Sequence, residues 1–171
     1  MEWLDRLIGV VIPTYLLILG VIFRYIIYFS SDIEKENFWL KFSPLIILFF
    51  YGLFIDLFMT SFIRLTILTI FSLLILVANY KELGLFIYSV GSLLNCVAML
   101  ANDYKMPALT QLGETRVLKP LTDITVFPLL CDLIKTPGLL VISIGDIILT
   151  IGCLIFLFTT IKKLIKVINK K

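Results

Sequence analysis

Apolar residues run in five blocks, at 7–29, 44–62, 65–80, 83–101 and 139–158. Each is close to the ~20 residues with which an α-helix crosses the hydrocarbon core of a bilayer. None shows the strict alternation of a half-buried strand, so every block reads as helix. The stretch 44–80 would measure roughly 55 Å as one helix at 1.5 Å per residue, which requires a tight turn near 61–64. A Ser-Pro step opens the second block at Pro44, a position suited to a helix start. The connection 102–138 contains Pro107, Pro120, Pro128 and Pro137, which forbid a long helix. Its segment 117–134 is nevertheless strongly apolar, so it should rest on the membrane surface or pack over the bundle as a lid. The expected fold is an all-α integral membrane bundle of about five transmembrane helices, one polytopic domain over 1–171, with a proline-broken outer connection.

Composition agrees with that pattern and narrows the chemistry. Of 171 residues 60% are hydrophobic and 16% charged, with a mean hydropathy of +1.07, a balance that a soluble domain of this size does not have. The first residues, Met1-Glu2-Trp3-Leu4-Asp5-Arg6, lack a basic leader and no small-residue cleavage site follows, so the first block reads as a retained helix. There is no histidine, which removes Ser-His, Cys-His and His-zinc mechanisms. Cys96, Cys131 and Cys153 have no metal or redox spacing and read as small apolar residues. No metal or other cofactor is expected. A net charge of +3 without basic-aromatic interleaving gives nucleic acid no purchase as a partner.

Five lysines follow residue 161, and by the positive-inside rule the tail 161–171 is cytoplasmic. Ile161, Leu164, Ile165 and Ile168 at helical spacing would also let the tail lie on anionic lipid. Counting back places 30–43 and 81–82 inside and 102–138 outside. Arg24, near the inner end of the first span, is expected to snorkel to the headgroups.

Polar residues within these spans carry the candidate chemistry. Asp146 lies seven residues into the block 139–158, and a charge inside a span costs at least ~2.5–3.5 kcal/mol unless paired, hydrated or protonated. Ser143, Asp146, Thr150 and Cys153 share one helical face, with Gly145 and Gly152 on an adjoining stripe suited to close packing. In the fourth span Gly84, Tyr88, Gly91, Asn95, Ala98 and Asn102 share another. Asn95 and Asp56 lie six residues before the outer ends of their spans, so both should match the ~10 Å depth of Asp146. One reading is a pocket in which Asp56, Asn95 and Asp146 converge and two carboxylates share a proton. In the other, Asn95, Ser143 or Thr150 holds Asp146 to lock two helices, and Asp56 reaches toward water or Arg64.

Four ordered blocks carry a resemblance: Gly91-Ser92-Leu93-Leu94-Asn95, Asn102-Asp103-Tyr104-Lys105-Met106-Pro107, Phe127-Pro128-Leu129-Leu130-Cys131-Asp132, and Ser143-Ile144-Gly145-Asp146. They resemble a family of small bacterial polytopic membrane proteins of unknown function, with Asp103 and Cys131 standing where that family usually has glycine. This implies residence in a bacterial cytoplasmic membrane and no particular activity. Gly91–Asn95 and Ser143–Asp146 are also similar to the third- and fourth-helix motifs of lipoprotein signal peptidases, in which Asp146 would match the second catalytic aspartate. Ala98 and Met99 stand where that family has its first Asp and the following Arg, so Asp56, Asp103 or Asp132 would have to supply the second carboxylate. Two functions follow. One is a non-enzymatic membrane protein binding a membrane lipid, a peptide or a partner membrane protein in an outer-leaflet pocket around Asp146, Asn95, Asn102, Ser143 and Thr150. The other is an intramembrane aspartic hydrolase using Asp146 with Asp56 or Asp132.

Overall fold

A computed structural model describes residues 16–28, 42–43, 45–46, 60–109, 118–135 and 141–169. Among them the chain is mostly helical: α1 (Leu16–Tyr28), α2 (Ser61–Ala78), α3 (Leu83–Leu100) and α4 (Ile144–Ile168). The last three are each long and apolar enough to cross a membrane, and α1 is a shorter apolar helix. The expected second span, 44–62, falls for the most part outside the described residues, as does Asp56.

Two boundaries differ from the sequence pattern. Residues 61–64 are the first turn of α2 and not a hairpin, because the Thr60 hydroxyl caps the helix by accepting from the Ile63 N–H at 3.5 Å. At the other end of the chain, α4 starts five residues later than the apolar block and continues through the tail to Ile168. No Gly or Pro stands after Gly152 to stop it, and the tail's periodic Ile and Leu extend the helical pattern. At 25 residues α4 measures ~37 Å, longer than a ~30 Å hydrocarbon core.

The closest packing is between α3 and α4, which run antiparallel. Gly84 lies against the backbone of Phe156, and Gly152 against the backbone of Tyr88 and Gly84. About two turns further along, a Cβ on Gly91 would meet the Leu149 nitrogen at 2.5 Å and the Gly145 oxygen at 2.6 Å. Glycines seven apart on both helices therefore form one seam, as their shared faces in the sequence led us to expect. Around it Ile75, Leu85, Tyr88, Cys153 and Phe156 are buried in a core that includes Leu17 of α1. α2 packs on α3, with a Ser72–Ser92 hydroxyl pair at 2.6 Å between them.

The connection between α3 and α4 forms a small cap of extended pieces. β1 (Met106–Ala108) pairs in parallel with β2 (Leu118–Pro120), and Ala108 also bridges to Asp132. β3 (Ile134–Lys135) pairs antiparallel with β4 (Val141–Ile142). Between them a 3₁₀ turn, Pro128–Leu130, rests on α3 and α4. Asp103 and Tyr104 sit in left-handed backbone at φ 58° and 63°, so the glycine expected at 103 from the family resemblance would fit without strain.

At the opposite, tail end, Arg24 does not snorkel. It is 2% exposed, lies over the Phe156 ring, donates from Nε to Thr160 Oγ1 at 3.1 Å, and pairs through Nη2 with Glu82 at 3.0 Å. Lys163 of α4 meets the other Glu82 oxygen at 3.0 Å. Glu82, just before α3, thus joins α1 to α4, and burial of the guanidinium is offset by these partners.

Two outcomes follow. Gly84→Ala or Gly152→Ala should each lower stability by ~1–3 kcal/mol in thermal unfolding in detergent, since the added methyl meets backbone that has no room to move. Glu82→Ala should destabilise by removing the carboxylate that links the buried Arg24 guanidinium to Lys163, by up to ~3–5 kcal/mol, and Glu82→Gln should cost less in the same assay.

Candidate functional site

Ser143 and Asp146 form a capping box. The Ser143 hydroxyl accepts from the Asp146 N–H at 3.0 Å, and the Asp146 Oδ2 accepts from the Ser143 N–H at 3.0 Å. Asp146 is therefore in the first turn of α4, where the helix dipole favours a carboxylate, and not two turns inside a span. The extended residues Val141 and Ile142 occupy the start of the apolar block instead, and the β3–β4 ladder takes up their backbone groups.

The predicted meeting of Asn95 with Asp146 is present. Asn95 Nδ2 donates to Asp146 Oδ1 at 2.7 Å, and the Ser143 hydroxyl donates to Asn95 Oδ1 at 2.8 Å. The ring Ser143–Asn95–Asp146 closes on itself: one amide of α3 engages both members of the cap of α4. Ser143 is buried, and Asn95 and Asp146 are half-buried. Gly145 sits between them, because any Cβ there would collide with the Asn95 side chain. Thr150 turns back on its own helix, donating to the Asp146 carbonyl at 2.7 Å.

Asn102 is buried and fully used by protein partners. Its Nδ2 donates to the Ala98 and Val126 carbonyls, both at 2.8 Å, and its Oδ1 accepts from the Val126 N–H at 3.0 Å. It thus imitates a strand neighbour and fastens the cap to the end of α3. Of the remaining carboxylates, Asp103 is exposed and paired with Lys119 at 2.9 Å. Asp132 differs: it is only 8% exposed, its backbone is bonded to Pro107 and Leu109, and its buried Oδ1 has no hydrogen-bond partner among the described residues. Burial, with the charge of nearby Asp146 adding to it, pushes its carboxyl up to about 8. The site therefore holds a neutral acid at Asp132 beside a carboxylate at Asp146, which is fixed by two N–H donors.

Two features escaped the sequence reading. The Ser-x-x-Asp spacing is a helix-start signal, but it lay inside an unbroken apolar block whose first residues look equally helical. The Asn102–Val126 pairing spans 24 residues and has no local signature. The described residues contain no group of three or more Cys, Asp or Glu placed to hold a metal ion.

A family of unknown function (DUF5317) matches residues 10–158, and the chain belongs to that family. No curated protein and no solved structure matches the chain.

The raised carboxyl of Asp132 has a pH consequence. The folded state holds its proton up to about pH 8, whereas the unfolded chain releases it near pH 4. The stabilisation is therefore full below pH 4 and declines steadily as pH rises to about 8. Thermal unfolding followed between pH 5 and 9 should show a fall of a few kcal/mol that flattens above 8, and Asp132→Asn should be flat over the same range.

Proposed function

We propose that this is an integral membrane protein that binds a membrane lipid, a peptide or a partner membrane protein at the polar site around Asp146 and Asp132, without catalysing a reaction. The site would face the outer leaflet of a bacterial cytoplasmic membrane, with the lysine tail in the cytoplasm. The observation that carries the reading is the bonding of Asp146. Each of its oxygens already holds a protein N–H, from Asn95 or from Ser143, so the carboxyl group is fixed in place. A fixed, half-buried anion next to a buried neutral acid suits a ligand that presents N–H or O–H donors, such as an ammonium headgroup or a peptide amide.

The alternative, an intramembrane aspartic hydrolase, is favoured by one observation: Asp132 feels the charge of Asp146 and holds its proton to about pH 8. A carboxyl group that keeps its proton beside a second carboxyl group is a candidate general acid.

Three variants distinguish these readings. The full chain is purified in mild detergent and examined by native mass spectrometry for retained lipid, then incubated with a lipid-anchored peptide. Binding predicts that Asp146→Leu loses ~1–2 kcal/mol of stability, the range for interhelical hydrogen bonds in membranes. Asp146→Asn should fold and lose the retained lipid, and no peptide should be cut. Peptide cleavage abolished by either Asp132→Asn or Asp146→Asn would overturn binding in favour of the hydrolase. Asp146→Asn that keeps both stability and lipid would leave the clamp purely structural.

A further inference from the structure

The cap carries large apolar side chains on its outside. In the turn 124–129, Ile124, Val126, Phe127 and Leu129 are all exposed, Phe127 at 54% and Leu129 at 72%. Exposed Asp123 precedes them in the chain. Phe127 takes left-handed backbone at φ 52°, a conformation that a bulky residue adopts only when its surroundings hold it there. About half of its surface is nevertheless exposed.

The height of this turn is set by hydrogen bonds. Asn102 grips both the N–H and the carbonyl of Val126, and Asn102 is two residues beyond the end of α3, or ~3 Å along the helix axis. The 3₁₀ turn that follows rests against α3 and α4. Phe127 and Leu129 are therefore held level with the helix ends, not out in the water beyond them. At that level the helices present apolar surface too: Val97 and Leu100 of α3 and Ile144 and Ile147 of α4 are exposed. Phe62 and Tyr104 form an edge-to-face pair at 5.1 Å at the same end, both on the outside. Aromatic rings at this height are what a membrane–water boundary selects.

We infer that the turn 124–129 is embedded in the lipid at the boundary of the bilayer, with Phe127 and Leu129 among the acyl chains. Phe62 and Tyr104 mark the same boundary. The cap is then a wedge set into one leaflet, held at fixed depth by Asn102, and its apolar surface continues the lipid-facing surface of α3 and α4. The inference rests on α2, α3 and α4 crossing the bilayer and is independent of any ligand at Asp146.

Nitroxide labels on the full chain in lipid nanodiscs test it. Cys96, Cys131 and Cys153 are buried, so the native chain takes up little label and single cysteines can be added at the surface. Phe127→Cys and Leu129→Cys are compared with Leu100→Cys on the exposed face of α3 and with Asp123→Cys on the polar side of the turn. Collisional relaxation by oxygen, which concentrates in lipid, is measured against relaxation by a water-soluble nickel chelate. The oxygen-to-nickel ratio at 127 and 129 should be within about twofold of that at 100 and at least about fivefold above that at 123. Ratios at 127 and 129 equal to that at 123 would place the turn in water and overturn the inference. Poor access by both reagents at 127 and 129 would also overturn it, since a second copy or another part of the chain would then cover the patch. If Phe127→Cys fails to fold, Leu129→Cys decides alone, because the Leu129 side chain is largely free of protein contact.

Discussion

The approach of α3 to α4 at backbone distance is the constraint on which the rest of the structure depends. For helices apolar enough to cross a bilayer, where little hydrophobic force acts between them, association rests on close packing and hydrogen bonds. Gly84, Gly91, Gly145 and Gly152 allow the first by removing every side chain that would separate the two backbones. That proximity then makes the second available. Asn95 reaches both Ser143 and Asp146 only because Gly145, lying between them, has no Cβ. A methyl group on the seam would therefore disturb packing and separate the polar clamp at the same time.

The clamp and the cap depend on each other. The chain enters α4 from the short β3–β4 ladder, so Ser143 starts the helix at the level of Asn95 rather than at the end of α3. The capping box, the ladder and Asn102 each take up polar groups of that irregular stretch. Asp132 is the exception. Its Oδ1 is buried and unmatched among the described residues, and its carboxyl holds a proton well above the usual carboxylate range. A buried acid without a hydrogen-bond partner for one oxygen is a site in the cap where stability is given up.

The two ends of the helix pair handle charge differently. At the tail end Glu82 pairs with both Arg24 and Lys163, linking α1 to α4, and Phe156 covers the guanidinium. That cluster reads as architecture. At the cap end, burial leaves Asp132 neutral while Asp146 is stabilised by N–H donors with no cation among its hydrogen-bond partners. The tail-end cluster thus rests on ion pairs, and the cap-end site on hydrogen bonds.

Hydrophobic content and block length were enough to indicate apolar helices of membrane-spanning length, because a helix is local and its burial in lipid needs only side-chain composition. The positions of α2 and α3 were legible for that reason, and so were the glycine faces, whose periodicity is a property of one helix at a time. The pairing of Asn95 with Asp146 could be anticipated from matched heights on adjacent spans. What the sequence left open depends on contacts between distant residues. Residues 139–142 are as apolar as any helix, and only pairing with Ile134 and Lys135 makes Val141 and Ile142 extended and moves the start of α4 to Ser143. Arg24 looked like a headgroup residue until Glu82, 58 positions away, came into reach. Among the described acids Asp132 became unusual only because the fold buries it and brings it within reach of the charge of Asp146.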